Sequence, residues 1–264
     1  MPVEARIRRY EPADDKLVRF LVGKVNMEGL ATANVRVCTN PLMIALWIGL
    51  SAVMIQYMGW WPQQGQGLWA YLRPLPAFAA MAVPLMFASD WYNRPSFEDL
   101  LSETMRRPDM RDIQAFYSRS PSSAFWLLEL GEHVIGLIAI DASPDSTSQA
   151  VIQDRQQTEG ALTDGTSSDA VVRHFFVEEQ YRKTKIQDDL LVHCLKEAFS
   201  ADPNRRIRTV IADQSELAPY IARSLKEHGF RSARENHPSR NRHVGILKWT
   251  ISPCSLDRQR WDSM

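Results

Sequence analysis

The chain has 264 residues, with 31 Lys+Arg balanced by 31 Asp+Glu, enough for one domain of ordinary size with a membrane element or for two small domains. A formal net charge of zero leaves no basic field for nucleic acid and no acidic solvating tail. Cys38, Cys194 and Cys254 lie far apart, lack metal-ligand spacing and cannot all pair with one another, which argues against a disulfide scaffold and for a reducing compartment.

The opening MPVEARIRRYEPADD is charged and carries no apolar signal-peptide core, so membrane insertion is expected to use an internal segment. Ala5 to Tyr10 alternates like a strand. Pro12 to Asp15, ahead of LVRFLV, reads as a helix start with Asp14 or Asp15 near the first free amides. Leu42 to Trp61 is free of charge and reaches the roughly 20 residues that a helix needs to cross a bilayer. A second apolar segment, Leu68 to Ser89, holds Arg73 near one end, and Pro74, Pro76 and Pro84 weaken its regularity, so a kinked span or a re-entrant helix is expected. Pro62 to Gly67 is a tight polar turn, and Tyr57, Trp60, Trp61, Trp69 and Tyr71 form an interfacial aromatic belt beside it. Lys24 and Arg36 flank one side of this hairpin and Arg94, Arg106 and Arg107 the other. The positive-inside tendency then puts both flanks in the cytosol.

The rest reads as a soluble α/β domain. Asp109 is expected to cap a helix through MRDIQAFYS. Ala124 to Leu130 and His133 to Ile140 read as strands joined at Gly131-Glu132, a two-residue hairpin signal. Asp141 to Ala170, rich in Ser, Thr, Asp, Gln and Gly, is expected to be a long flexible surface loop. Val171 to Val177 then reads as a strand, Gln187 to Phe199 as a helix, Ile207 to Ala212 as a strand and the following stretch to about Glu227 as a helix. GFRSARE and HVGILKWT suggest two last strands.

Strand, helix and motif order now meet at Val177 to Leu191, VEEQYRKTKIQDDLL. This stretch resembles the acetyl-coenzyme-A motif of the GNAT N-acetyltransferase superfamily at its valine, arginine, isoleucine and leucine pair. The wider chain resembles the camello-like, cysteine-S-conjugate N-acetyltransferase branch, in which a membrane segment follows the first strand and helix. The matching stretches are IRRYEPADD, the apolar hairpin, RRPDMRDI, SSAFWLLELGEHVIGLIAI, the motif and the closing HGF at His228 to Phe230.

The resemblance implies an α/β (α+β) fold, a GNAT-like mixed central sheet flanked by helices and interrupted by a two-helix transmembrane hairpin. Residues 1–36 would form its first strand and helix, 37–95 the hairpin with spans of about 42–61 and 68–89, 96–250 the remainder with a flexible loop at 141–170, and 251–264 a tail. It also implies acetyl-CoA as co-substrate, a small-molecule or protein amine as acceptor, a lipid bilayer as partner and an endoplasmic reticulum address with the catalytic domain cytosolic. The strand-to-helix passage would bind pyrophosphate on free amides at the helix start. Phe176, Val177, Arg182, Lys183, Thr184, Lys185, Ile186 and Gln187 would then contact the cofactor. Lys183, Lys185 and Gln187 occupy positions where the family keeps glycine.

Direct attack by a neutral amine on the thioester needs a base, an oxyanion donor and an acid for the thiolate. His174 is the first candidate base because a neutral imidazole works near pH 7, with Glu178 and Glu179 as alternatives. Many relatives place a tyrosine acid where Leu225 stands, and an asparagine where Glu216 stands; Tyr220 is the remaining candidate acid. The histidines show no spacing that gathers a metal. Two readings stay open: a membrane-anchored N-acetyltransferase, or a catalytically inactive, membrane-tethered binding or scaffold relative of one.

Overall fold

The computed structural model describes residues 5–62, 67–148, 163–232 and 241–264. The helical start after Pro12 opens a single long helix, α1 (Asp15–Cys38), preceded by β1 (Ala5–Arg9). Arg8 explains the join, since its guanidinium reaches Asp14 at 2.6 Å and Glu129 at 2.6 Å, tying strand and helix start together. Helix α2 (Pro41–Met58) has strong stop signals at both ends. Asn40 caps it by accepting from the Leu42 amide, Pro41 holds the first position, and Gly59 ends it in the left-handed region at φ 64°. Helix α3 (Leu75–Met105) runs on without a break through Pro84 and Pro95, well beyond the apolar segment.

Two stretches, Pro41–Met58 and Ala70–Met105, are long and apolar enough to cross a membrane, and only 11% of each apolar window is buried. Leu42, Val53, Phe87 and Trp91 point their side chains outward. A pair of buried core helices would show the opposite, with apolar surface hidden. Where α3 turns polar, Asn34 bonds both Asp90 and Asn93 at 2.8 Å, and Asn93 accepts from the Ile246 amide at 2.9 Å. This network fixes α3 against α1 at the level where the apolar surface ends. Residues 63–66 of the expected turn, and the side chain of Trp69, lie outside the described residues.

The expected helix after Asp109 is short, α4 (Ile113–Tyr117), and Asp112 caps it by accepting from the Ala115 amide. Asp109 is therefore not the cap. It lies in the 3-10 turn Pro108–Met110, fully buried. β2 (Ala124–Leu130) and β3 (His133–Asp141) meet at Gly131-Glu132 as expected, with Gly131 at φ 63°. β4 (Asp169–Val177), α5 (Ile186–Ser200), β5 (Thr209–Ser215) and α6 (Pro219–Glu227) follow. β6 (Arg231–Ser232), β7 (Arg242–Val244), β8 (Trp249–Asp257) and α7 (Arg258–Trp261) complete the chain.

All eight strands form one mixed sheet in the order β1-β2-β3-β4-β5-β8-β6, with β7 also on β8. Among the described residues only β4 and β5 pair in parallel. α5 and α6 cover one face through Leu190, Cys194, Leu195 and Leu225. α1 and α4 cover the other, packing Val18, Leu21, Val22 and Phe116 on Leu127, Leu137 and Phe176.

Two expectations change here. Of the residues set apart as a tail, 251–257 belong to β8, which pairs with β5 from Thr209 opposite Asp257 to Ser215 opposite Ile251, and 258–261 form α7. HVGILKWT is no single strand, because the turn at Gly245 to Lys248 divides it between β7 and β8. Of the expected loop, Ala142, Ser143 and Ser146 are buried, while 149–162 lie outside the described residues.

Candidate active site

The site follows from one irregularity in β4. Its pairing with β3 matches Ala139 to His174 and Ile140 to Val172, skipping Arg173. That extra residue is a bulge, which bends the strand and resets which side chains face which layer. Val172, Phe175 and Val177 consequently all enter the core under α5 and α6, although they do not follow a two-residue period. Pairing with β5 also ends there, at Val172 opposite Ala212, while β4 continues to Val177 and β5 to Ser215. The two parallel strands splay apart beyond the bulge, so β4 has a free edge.

Alternation identifies the groups on that edge. The Glu178 amide donates to the Ile135 carbonyl at 2.8 Å, on the β3 side, so Phe176 faces β3 with its polar groups and Val177 faces the gap. The Val177 carbonyl fits this placement by accepting from Arg182 Nε at 2.7 Å. Of the two expected cofactor contacts on this strand, only Val177 directs its amide toward the gap; Phe176 is a fully buried core residue beneath α1.

Two cavities lie along the splay and share Val25 and Asn26 of α1. One, of about 160 Å³, is lined by His174, Arg173, Arg107 and Asp213 among others. The second, of about 140 Å³, is lined by Arg182, Tyr220, Glu28, Phe97 and Val244 among others. Their polar groups are unequally committed. Arg107 Nε is buried with no hydrogen-bond partner among the described residues, whereas Arg173 is bound to Asp141 at 3.0 Å. Burial opposes the charge on Arg173, yet Asp141 and Asp109 keep its pKa raised.

His174 is almost wholly buried, and its Nε2 lies 2.7 Å from Asp109 Oδ2. The Tyr117 hydroxyl donates to the same carboxylate oxygen at 3.2 Å. Burial of Asp109 disfavours its ionised form, but the bond to His174, with the positive charges of Arg173 and Arg107 nearby, lowers its pKa to about 2. Tyr117 is pushed well above its ordinary range by burial and by the Asp109 charge. The pair therefore consists of an anionic carboxylate held against one imidazole nitrogen. Sequence reasoning missed Asp109 as a partner because the contact joins residues 65 apart.

Each remaining expected residue has a definite place. Glu178 pairs with Lys24 at 2.7 Å, and Lys183 borders the same surface depression with Glu179. Arg182 bonds Glu28 at 2.6 Å and lies 3.9 Å over the Tyr220 ring, and all three line the second cavity. Burial raises the Tyr220 phenol to about 12, so it stays protonated at neutral pH. The Thr184 hydroxyl donates to the Tyr181 carbonyl at 2.7 Å, and Ile186 packs on the core. Gln187 is buried. Lys185 caps α5 from the left-handed region at φ 61°, and its ammonium reaches Glu227 at 3.2 Å. The backbone shape that a glycine would give is thus kept by a lysine, at a cost of about 1–2 kcal/mol. Cys194 is a buried core thiol, its pKa pushed up by burial.

No known protein-family profile matches the chain. Over 149 residues the chain is 26% identical to "Probable N-acetyltransferase camello" of Xenopus tropicalis, covering 56% of this chain and 60% of the relative. The chain thus matches less than two thirds of the length of this curated relative. Among solved structures, an acetyltransferase of the GNAT family from Staphylococcus aureus Mu50 aligns with a TM-score of 0.46 at 11% identity, covering 96% of this chain and 99% of that one. A spermidine N-acetyltransferase from Vibrio cholerae, solved with CoA and spermine, aligns with a TM-score of 0.44 at 8% identity, covering 97% of each. The chain thus has a central mixed sheet between helical layers and, over the matched residues, is similar in sequence to a probable N-acetyltransferase.

Proposed function

We propose that the chain is a membrane-anchored N-acetyltransferase that moves acetyl from acetyl-CoA to an amine by direct attack. The observation that carries this reading is the splay of β4 from β5 beyond Val172, which leaves the Val177 amide unpaired with β5, and the two cavities along it that share Val25 and Asn26. Acetyl-CoA would enter along that edge. Its pyrophosphate would meet the start of α5, where Lys185 is the cap and the amides of Ile186 and Gln187 open the first helical turn. Lys183 would add a point charge. The Val177 amide would bond the thioester oxygen as it becomes an oxyanion. His174 would take the amine proton and Tyr220, held protonated, would supply the proton to the departing thiolate.

For anchoring, α2 and the first half of α3 would stand in the bilayer and divide one domain after β1 and α1. Their outward apolar side chains support this. An endoplasmic reticulum address with a cytosolic catalytic domain comes from the family resemblance, and protease protection of Arg8 and Arg182 in isolated membranes tests it. The acceptor classes to assay are a cysteine conjugate, a free amino acid and a protein lysine.

A second reading, an inactive membrane-tethered relative, draws support from Arg182, which already occupies the Val177 carbonyl, and from Lys185 at a glycine position. Thiol release from acetyl-CoA by the detergent-purified full chain, across an amine panel, separates the two. Amine-dependent release above the blank is the expected result. Saturable acetyl-CoA binding without thiol release for any amine would instead leave the inactive reading.

A further inference from the structure

We propose that Asp109, backed by Tyr117, is a positioning residue for His174 in acetyl transfer. This rests on the reading of His174 as the base and adds the group that makes it one. A strand histidine alone has free choice of tautomer and ring orientation. Here Asp109 removes that choice, because an ionised carboxylate only accepts, so the proton of a neutral His174 sits on Nε2, bonded at 2.7 Å. The other nitrogen, Nδ1, makes no hydrogen bond among the described residues and keeps the lone pair that a base needs, on a side chain that lines the larger cavity.

Burial makes the arrangement specific. Asp109 is fully buried, on a 3-10 turn between α3 and α4, and has two side-chain donors on one oxygen while Oδ1 has no partner among the described residues. Among the described residues, the charged groups facing His174 are Asp109 from that turn, Arg107 just before it (3.7 Å from Glu103), Arg173 from its own strand and Asp213 across the splay; Tyr117 of α4 is neutral and α1 offers Val22, Val25 and Asn26. Arg173 is balanced by Asp141. Asp109 is therefore the anion in direct contact, and it stabilises the imidazolium formed when the amine proton arrives.

The test uses the full chain in detergent with acetyl-CoA and S-benzyl-L-cysteine as the probe amine, comparing wild type, Asp109→Asn and Asp109→Glu. Asp109→Asn is expected to lower kcat about a hundredfold with little change in KM for acetyl-CoA. It should also move the acidic limb of the kcat profile to lower pH, because the imidazolium loses its counter-charge. Asp109→Glu should restore part of kcat and the original limb. Imidazole nitrogen NMR reads the same shift without turnover: His174 should lose its proton at lower pH in Asp109→Asn. An unchanged acidic limb and an unchanged His174 titration would overturn the proposal, even if Asp109→Asn lowers thermal stability. Wild type without acetyl transfer to any amine would overturn the acetyltransferase reading instead, and the NMR titration would still report on the pair.

Discussion

The two ends of the splay differ in how they are built. Around His174 the polar groups are buried and matched in advance: Asp109 holds the imidazole, Tyr117 holds Asp109, and Asp141 holds Arg173. At the start of α5 the groups are exposed, cationic and strained, with Lys185 forced into a left-handed conformation and Arg182 spent on Glu28 and the Val177 carbonyl. The contrast teaches that the proposed acceptor side of the cleft is preorganised, whereas the proposed cofactor side keeps a backbone shape without the residue types that adopt it freely.

Removing the buried anion gives the largest expected effect. Asp109→Ala leaves His174 and Tyr117 unpaired in the interior, so it should lower stability by about 3 kcal/mol, read as a fall in Tm of the detergent-solubilised chain. A loss below about 1 kcal/mol would mean that the acceptor side is not prebuilt. Next comes acid. The folded-state pKa of Asp109 lies at about 2, below its ordinary value near 4. Its contribution is therefore fully present above about pH 4 and lost as pH falls toward 2, amounting to about 2 kcal/mol. Acid unfolding curves of wild type and Asp109→Asn should converge across that window.

Smaller effects sharpen the cofactor side. Arg182→Lys keeps the charge but cannot bond Val177 and Glu28 together or stack flat on Tyr220, and should cost about 1 kcal/mol. Lys185→Gly should raise stability by about 1 kcal/mol, because relief of the left-handed strain exceeds the entropy that glycine adds to the unfolded chain. The exposed Lys185–Glu227 pair contributes little against this. A Lys185→Gly chain that is less stable than wild type would remove strain from the account.

Much of the scaffold was legible in the sequence for local reasons. The β2–β3 hairpin announced itself through two apolar runs and Gly131, and α2 through a charge-free run from Leu42, whose closure by Asn40-Pro41 and Gly59 only the structure brought out. β8 was not legible. Pro253 and two serines, Ser252 and Ser255, interrupt its pattern, and proline argues against a strand paired on both edges; the pairing with β5, β6 and β7 overrides that local signal. The bulge was hidden for a related reason: VVRHFFV reads as one apolar run, and only the partner strand reveals that Arg173 is unmatched. At the site, His174 and Arg182 could be singled out from residue type and motif. Asp109 could not, since a capping rule explained it locally while its partner stands on a distant strand. Lys185 shows the converse, a departure in sequence without a departure in backbone shape.

Isothermal titration calorimetry of acetyl-CoA into the full chain in detergent tests the central claim most directly, that the gap between β4 and β5 is a cofactor cleft. Saturable one-site binding, weakened by Val177→Pro through loss of the free-edge amide, is the predicted result. Absence of saturable heat at any accessible acetyl-CoA concentration, or binding indifferent to Val177→Pro, would contradict it.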